Sequence, residues 1–258
     1  MISRLLIALA LTASLAAATR AAEIPLDERR SGLDFAGNDS RQMQADDTSN
    51  PAFLWVREGE ALWAKTDGVK QSCASCHNDA ATTMKGVSAR YPAYSEAKQR
   101  PVDLAGQVNI CRETRQDAKP FAHESREMLA LTAYIGLQSR GMPTAPPDDA
   151  RLEPFRRNGE QLFNARVGQL NFSCANCHND NWGKRLASAP IPQGHANGYP
   201  LYRLEWQSLG SLQRRFRNCM SGVRATAFAY GAPEWVDLEL YLAWRARGMP
   251  VETPAVRP

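Results

Sequence analysis

A mainly α-helical chain of two tandem modules is predicted by three observations: an ordered internal repeat, a Cys-x-x-Cys-His pentapeptide in each copy, and a helical apolar stripe closing each copy. The repeat sets the frame. Gly59-Glu60-Ala61-Leu62-Trp63 recurs as Gly159-Glu160-Gln161-Leu162-Phe163, and Tyr91-Pro92-Ala93-Tyr94 recurs as Tyr199-Pro200-Leu201-Tyr202. Each Tyr-Pro precedes a lone cysteine, Cys111 or Cys219, by twenty residues. Met128, Leu131 and Ile135 are then matched by Trp235, Leu238 and Leu242, and Arg140-Gly141-Met142-Pro143 by Arg247-Gly248-Met249-Pro250. The i, i+3, i+7 stripe predicts a packed helix that Gly-Met-Pro ends. Asn50-Pro51 ahead of Ala52 to Ala64 reads as a cap and first turn, so each module also opens with a helix.

In chain order, Arg4 and the apolar run Leu5 to Ala18 read as a secretory signal peptide, residues 1–22. The run is short of the ~20 residues that a spanning helix needs, which disfavours a permanent anchor. No later stretch approaches that length, so no membrane span is expected, and export places the mature chain in the periplasm. Residues 23–50 form a polar extension whose role the sequence does not reveal. The first module is assigned to 51–147 and the second to 148–258, with Pro143 to Asp149 as the connection. Strand signals are weak. Removing Arg4 and Arg20 leaves a formal charge of only +2, too small to suggest nucleic acid as a partner.

The pentapeptides are Cys73-Ala74-Ser75-Cys76-His77 and Cys174-Ala175-Asn176-Cys177-His178. Two thiols at this spacing bond a porphyrin edge while the adjacent imidazole reaches the iron, the pattern of c-type heme attachment. Zinc or a thioredoxin-like thiol pair is the alternative, disfavoured by duplication, export and the immediate Cys-His. The expected fold is therefore mainly α, two tandem cytochrome c-type domains, each around one covalently bound heme c, two per chain. His77 and His178 are the expected proximal ligands. For the opposite side the sequence offers Met142 and Met249, the unmatched His123 and His195, and Cys111 and Cys219. Thiolate ligation would lower the reduction potential. A Cys111–Cys219 disulfide competes with it in an oxidising compartment.

The copies differ most around the lone cysteines. From Ser211 to Ala227 the chain carries Arg214, Arg215, Arg217 and Arg224 with no acidic residue, whereas Asp103, Glu113 and Asp117 offset Arg112, Arg115 and Lys119 in the equivalent window. If Leu212 to Met220 is helical, Arg215 lies one turn before Cys219 on the same face, where the first module has Gln107. A guanidinium there would favour negative charge on sulfur and offer a forked donor to a small oxyanion. Pairing with heme carboxylates, or a solvated basic face, is the alternative.

With the tandem pentapeptides, the two lone cysteines, Arg215-Phe216-Arg217-Asn218-Cys219-Met220-Ser221-Gly222 and the closing Arg-Gly-Met-Pro, the chain resembles the two-heme SoxA cytochromes of the bacterial thiosulfate-oxidising Sox system, over nearly all of its mature length. The resemblance implies iron ligation by His77 with Cys111 and by His178 with Cys219. It also implies a reactive Cys219 that passes through a persulfide, and an anion-binding Arg215. Members resemble one another as L-cysteine S-thiosulfotransferases that pair with a SoxX cytochrome subunit. They join thiosulfate to a cysteine of the SoxYZ carrier and pass electrons to a cytochrome c acceptor. The second module is then the catalytic one. A periplasmic diheme electron-transfer cytochrome without transferase activity is the competing expectation.

Overall fold

The computed structural model describes residues 24–66 and 68–258. The predicted signal peptide and the first residue of the extension lie outside the described residues. Helix α1 (Asn38–Ala45) belongs to the extension. The first module holds α2 (Phe53–Ala64), α3 (Cys73–His77), α4 (Ala80–Thr83), strands β1 (Ala93–Ser95) and β2 (Arg100–Val102), α5 (Leu104–Thr114) and α6 (Arg126–Leu137). The second repeats the plan with α7 (Glu153–Asn164), α8 (Cys174–His178), hairpin β3 (Arg185–Leu186) and β4 (Ala189–Pro190), strands β5 (Leu201–Arg203) and β6 (Ser208–Gly210), α9 (Leu212–Gly222) and α10 (Pro233–Arg245). Strand β7 (Ala255–Arg257) closes the chain.

Each module is founded on its opening helix crossing its closing helix. Gly59 of α2 and Gly159 of α7 mark the crossings. A Cβ on Gly59 would overlap the carbonyl oxygen of Ala130, and one on Gly159 that of Asp237. The repeated Gly-Glu is thus explained by backbone contact that any larger side chain would prevent. The predicted stripes point inward: Met128, Leu131 and Ile135 pack on Trp63, while Trp235, Leu238 and Leu242 pack on Phe163. Helix α2 starts later than the sequence suggests, with Ala52 as its cap; Asn50 instead turns the chain by accepting from the Ala52 N–H at 3.0 Å, and its side-chain amide donates to the Pro254 carbonyl.

The two Arg-Gly-Met-Pro segments do more than end helices. Gly141 N–H donates to Val251 O and Val251 N–H to Met142 O, while Thr144 N–H donates to Met249 O and Gly248 N–H to Thr144 O, all at 2.8 Å. Pro143 and Pro250 face each other in the resulting antiparallel bridge. Gly141 and Gly248, at φ +80° and +83°, permit the turns that lead into it. The repeated tetrapeptide is therefore the seam between modules. Of residues 143–149, expected as a plain connection, Pro143 and Thr144 are bonded into that seam. A mixed sheet in the order β6-β5-β7, antiparallel then parallel, ties the end of the chain to the second module. Its Tyr202 and Leu209 complete a core with Trp55, Val56, Leu129 and Ala130 of the first. Among the described residues no helix is long and apolar enough to cross a membrane.

Candidate functional site

Each pentapeptide forms a short helix with the same cap. Ser72 Oγ accepts from the Ser75 N–H and Ser173 Oγ from the Asn176 N–H, with the reciprocal bonds returned, so the Cys-x-x-Cys turn is rigid before any cofactor arrives. The distal helices are built alike. Asp103 caps α5 by accepting from Gly106, and Ser211 caps α9 by accepting from Arg214. Cys111 and Cys219 lie on these helices.

In the second module these elements enclose a cavity of about 290 Å³. Cys174, Cys177 and His178 line one side, and Cys219 and Arg215 also line it. His178 Nδ1 meets the Pro192 carbonyl oxygen at 2.7 Å, so Nδ1 carries the proton and Nε2 keeps its lone pair for a metal. Burial pushes the His178 pKa down to about 4, aided by Arg215 and Arg245 against the pull of the Pro192 bond, which keeps the ring neutral. Burial also drives the Cys174 thiol up to about 12, with Cys219 adding to the shift, and raises Cys177. A wall that rejects charge on these sulfurs suits thioethers. Arg203, Arg215 and Arg257 line the same cavity, Arg203 paired with Glu205 and Arg257 with Glu252, and their positive charge suits a flat apolar body bearing carboxylates. The residues therefore fit heme c, held by Cys174 and Cys177.

The arginine cluster resolves into separate duties. Arg214 lies over the Trp206 ring at 4.5 Å and bonds Ser208 Oγ at 3.0 Å. Arg217 lies over Tyr230 at 4.7 Å and donates to the Phe228 carbonyl. Arg224 is exposed, at φ +57°. Arg215 lines the cavity. Burial alone would lower its pKa, but negative charge on Cys219, then Tyr199 and Glu205, carries it above the usual value. A guanidinium held in this way, one helical turn from the exposed Cys219, has the chemistry to pair with an anion.

The first module places Cys73, Cys76, His77 and Cys111 on the equivalent elements but in a different environment. His77 is exposed and lies against Trp63, ring centroids 5.8 Å apart. Gln107 Nε2 approaches Cys111 Sγ at 3.5 Å, so a neutral amide occupies the place that Arg215 holds in the other copy. Cys73 is raised by burial against a bond from Gln116, and Tyr91 by burial and then by Cys111.

The other sequence candidates fall elsewhere. Met249 is buried in the seam and Met142 packs its methyl group at Gly86. His123 abuts Gly231. His195 does line the cavity, bonded through Nε2 to Gln193 at 3.1 Å, and burial with Arg245 pushes it down to about 3. All six cysteines are free, and Cys111 and Cys219 sit in their own modules rather than across from each other, so no disulfide joins them. Among the described residues no group of three or more His, Cys, Asp or Glu could hold a metal ion, which leaves zinc without a ligand set. Reading the residues alone passed over Arg203 and Tyr199 in the cavity wall. Tyr199 had a signal in its match to Tyr91, twenty residues before each cysteine.

Fold and site together define a chain of two tandem cytochrome c-type modules, one of which has a cysteine and an arginine in its cavity wall. The chain belongs to the SoxA/TsdA cytochrome c family: the SoxA/TsdA, cytochrome c domain model matches residues 58–144 and again 158–251. It is 40% identical over 235 residues to the L-cysteine S-thiosulfotransferase subunit SoxA of Pseudaminobacter salicylatoxidans, covering 90% of this chain and 82% of that protein. The SoxA subunit of Rhodovulum sulfidophilum is 36% identical over 232 residues, covering 90% and 81%. The crystal structure of SoxXA from P. pantotrophus contains a chain that superposes with a TM-score of 0.85 at 35% identity, covering 89% of this chain and 87% of that one.

Proposed function

We propose that the chain is the SoxA-type subunit of an L-cysteine S-thiosulfotransferase, and that Cys219 and Arg215 carry its reaction. The observation that supports this reading best is the pairing of Arg215 and Cys219 in the wall of the second cavity, with a neutral amide in the equivalent place of the first module. Two hemes c are bound, one by Cys73 and Cys76 with His77 and Cys111 as iron ligands, the other by Cys174 and Cys177 with His178 and Cys219. When bound, the heme held by the second module would supply an electron acceptor.

In this reading Arg215 receives the sulfonate oxygens of thiosulfate and aims its terminal sulfur at Cys219, which reacts as thiolate or as its persulfide. A sulfur–sulfur bond forms and two electrons leave. The thiolate of a SoxYZ cysteine then attacks that terminal sulfur, taking the thiosulfonate and returning Cys219. The net change joins one thiol to one thiosulfate with loss of two electrons and the thiol proton. A SoxX subunit relays the electrons to a cytochrome c acceptor, in keeping with the SoxXA assembly of the structural relative. Export of the mature chain to the periplasm, after removal of residues 1–22, completes the proposal.

Replacing Cys219 with Met while retaining both hemes tests it. Thiosulfate-dependent acceptor reduction should vanish in Cys219→Met while electron exchange with small reductants persists; full transfer activity in that variant would sink the proposal that Cys219 carries the reaction.

A further inference from the structure

The N-terminal extension has no place in the duplication, yet it is built into the second site. Gly32, Phe35 and Ala36 contribute to the cavity wall. Gln193, fully buried, holds the extension from the other side: its Oε1 accepts from the Arg30 N–H at 2.7 Å and its Nε2 donates to the Glu28 carbonyl at 3.1 Å. Its own carbonyl accepts from the buried Arg245 at 3.3 Å, and Arg245 also donates to Asn179, the residue after His178, at 2.9 Å. The neighbouring Pro192 supplies the oxygen that receives His178 Nδ1. Gly194, at φ +77°, lies so close that a Cβ would meet the His178 ring.

This arrangement belongs to one module. Tyr199 follows His178 by 21 residues where Tyr91 follows His77 by 14, and Pro192, Gln193 and Gly194 lie within the longer loop. Such a loop would not by itself hold a carbonyl still. The Gln193 amide, with donor and acceptor both engaged by the backbone of the extension, fixes it. A fixed Nδ1–H···O=C bond makes an imidazole a stronger donor to its metal and sets its plane.

We infer that residues 24–36 and Gln193 form a clasp that orients the His178 imidazole, with Gln193 as its positioning residue, so that the extension tunes the second heme and not the first. The inference rests on the reading of His178 as an iron ligand. It is tested on the full holoprotein with Gln193→Ala and with Arg30→Pro, which removes the exposed Arg30 side chain and the N–H that Gln193 receives and stiffens the extension at that point. The potential of each heme and the ferric electron paramagnetic resonance signals are measured, alongside the rate of chymotrypsin cleavage after Phe35 of the extension.

Both variants should raise the potential of the second heme and broaden its signal, leave the first heme unmoved, and speed cleavage. Faster cleavage with an unchanged second heme reduces the extension to a strap and overturns the inference. Equal change at both hemes, or no change at either, overturns it as well. Should Gln193→Ala fail to load heme, Arg30→Pro decides, since it keeps every cavity side chain. If the unaltered protein lacks an imidazole signal from its second heme, the ligand reading itself fails and the clasp falls with it.

Discussion

Helices α5 and α9 are the same part used twice, and they differ at the position on which the proposed chemistry rests. Both are capped by an oxygen side chain, both follow a Tyr-Pro, and both carry a cysteine at the same register. One turn before that cysteine the first has Gln107 and the second Arg215. An amide can hold a sulfur in place; a guanidinium can also hold an anion against it. Exposure differs in the same sense, since Cys219 is exposed and Cys111 half-buried. A scaffold used twice therefore carries a guanidinium beside its cysteine once, which is the difference the proposed function rests on.

The comparison is broken most directly by exchanging those two residues. Arg215→Gln should lower thiosulfate-dependent turnover roughly 10²–10³-fold, as loss of one oriented donor to a developing anion does elsewhere, with Arg215→Lys recovering part of it. Gln107→Arg should confer no turnover on a Cys219→Met background. Steady-state acceptor reduction measures all three, and activity gained through Gln107→Arg would show that charge alone makes a site.

What the modules share should fail alike. Gly59→Ala and Gly159→Ala each force a methyl group into the backbone of the facing helix, so each should cost about 1–3 kcal/mol from overpacking and lower the melting temperature by similar amounts in calorimetry. A large effect at one crossing and none at the other would mean that the second module no longer depends on the shared scaffold.

Between the modules lies a pair of half-buried acids, Asp103 and Glu239. Glu239 lines the cavity there, and burial first, then the neighbouring Asp103, raises its pKa well above the usual carboxylate range. Burial likewise raises Asp103, which accepts from Gln213 of α9 at 3.3 Å. A raised carboxyl keeps its proton in the folded state after the unfolded chain has lost it. Stability is then lost as pH rises from the ordinary carboxylate range through the folded-state value, by about 1.4 kcal/mol for each pH unit that separates the folded and unfolded pKa values. Glu239→Gln should flatten that decline, melting above the parent at pH 8 and close to it at pH 4. An unchanged slope would place the proton elsewhere.

Much of this was legible in the sequence, and the reason is local. The pentapeptides, the apolar stripes and the span of α9 depend on spacings within a few residues, and chain duplication doubled every signal. The seam was hidden because Gly-Met-Pro is also an ordinary helix stop, and its pairing joins residues more than a hundred positions apart. Strands of two or three residues, such as β3 or β5, are too short to show alternation. The clasp was hidden differently: Gln193 looks like a surface amide until its burial is known. Arg215 stood out through a difference between copies, which a single module would not have displayed.

The methionines give the smallest effect and the sharpest division between seam and site. Met142 and Met249 occupy matched places, and a small electron carrier would recruit such residues to its iron. In the fold Met249 is buried at the seam and Met142 reaches Gly86, while the cavity of the second module is lined by Cys219. Leu is close to Met in volume, so Met142→Leu and Met249→Leu should each cost less than about 1.5 kcal/mol. Their effect on the visible and electron paramagnetic resonance spectra should be nil, because neither sulfur is needed at a heme. A new spectrum in either variant would transfer the sixth ligand of that module from cysteine to methionine, and with it remove the thiolate on which the contrast between Cys111 and Cys219 depends.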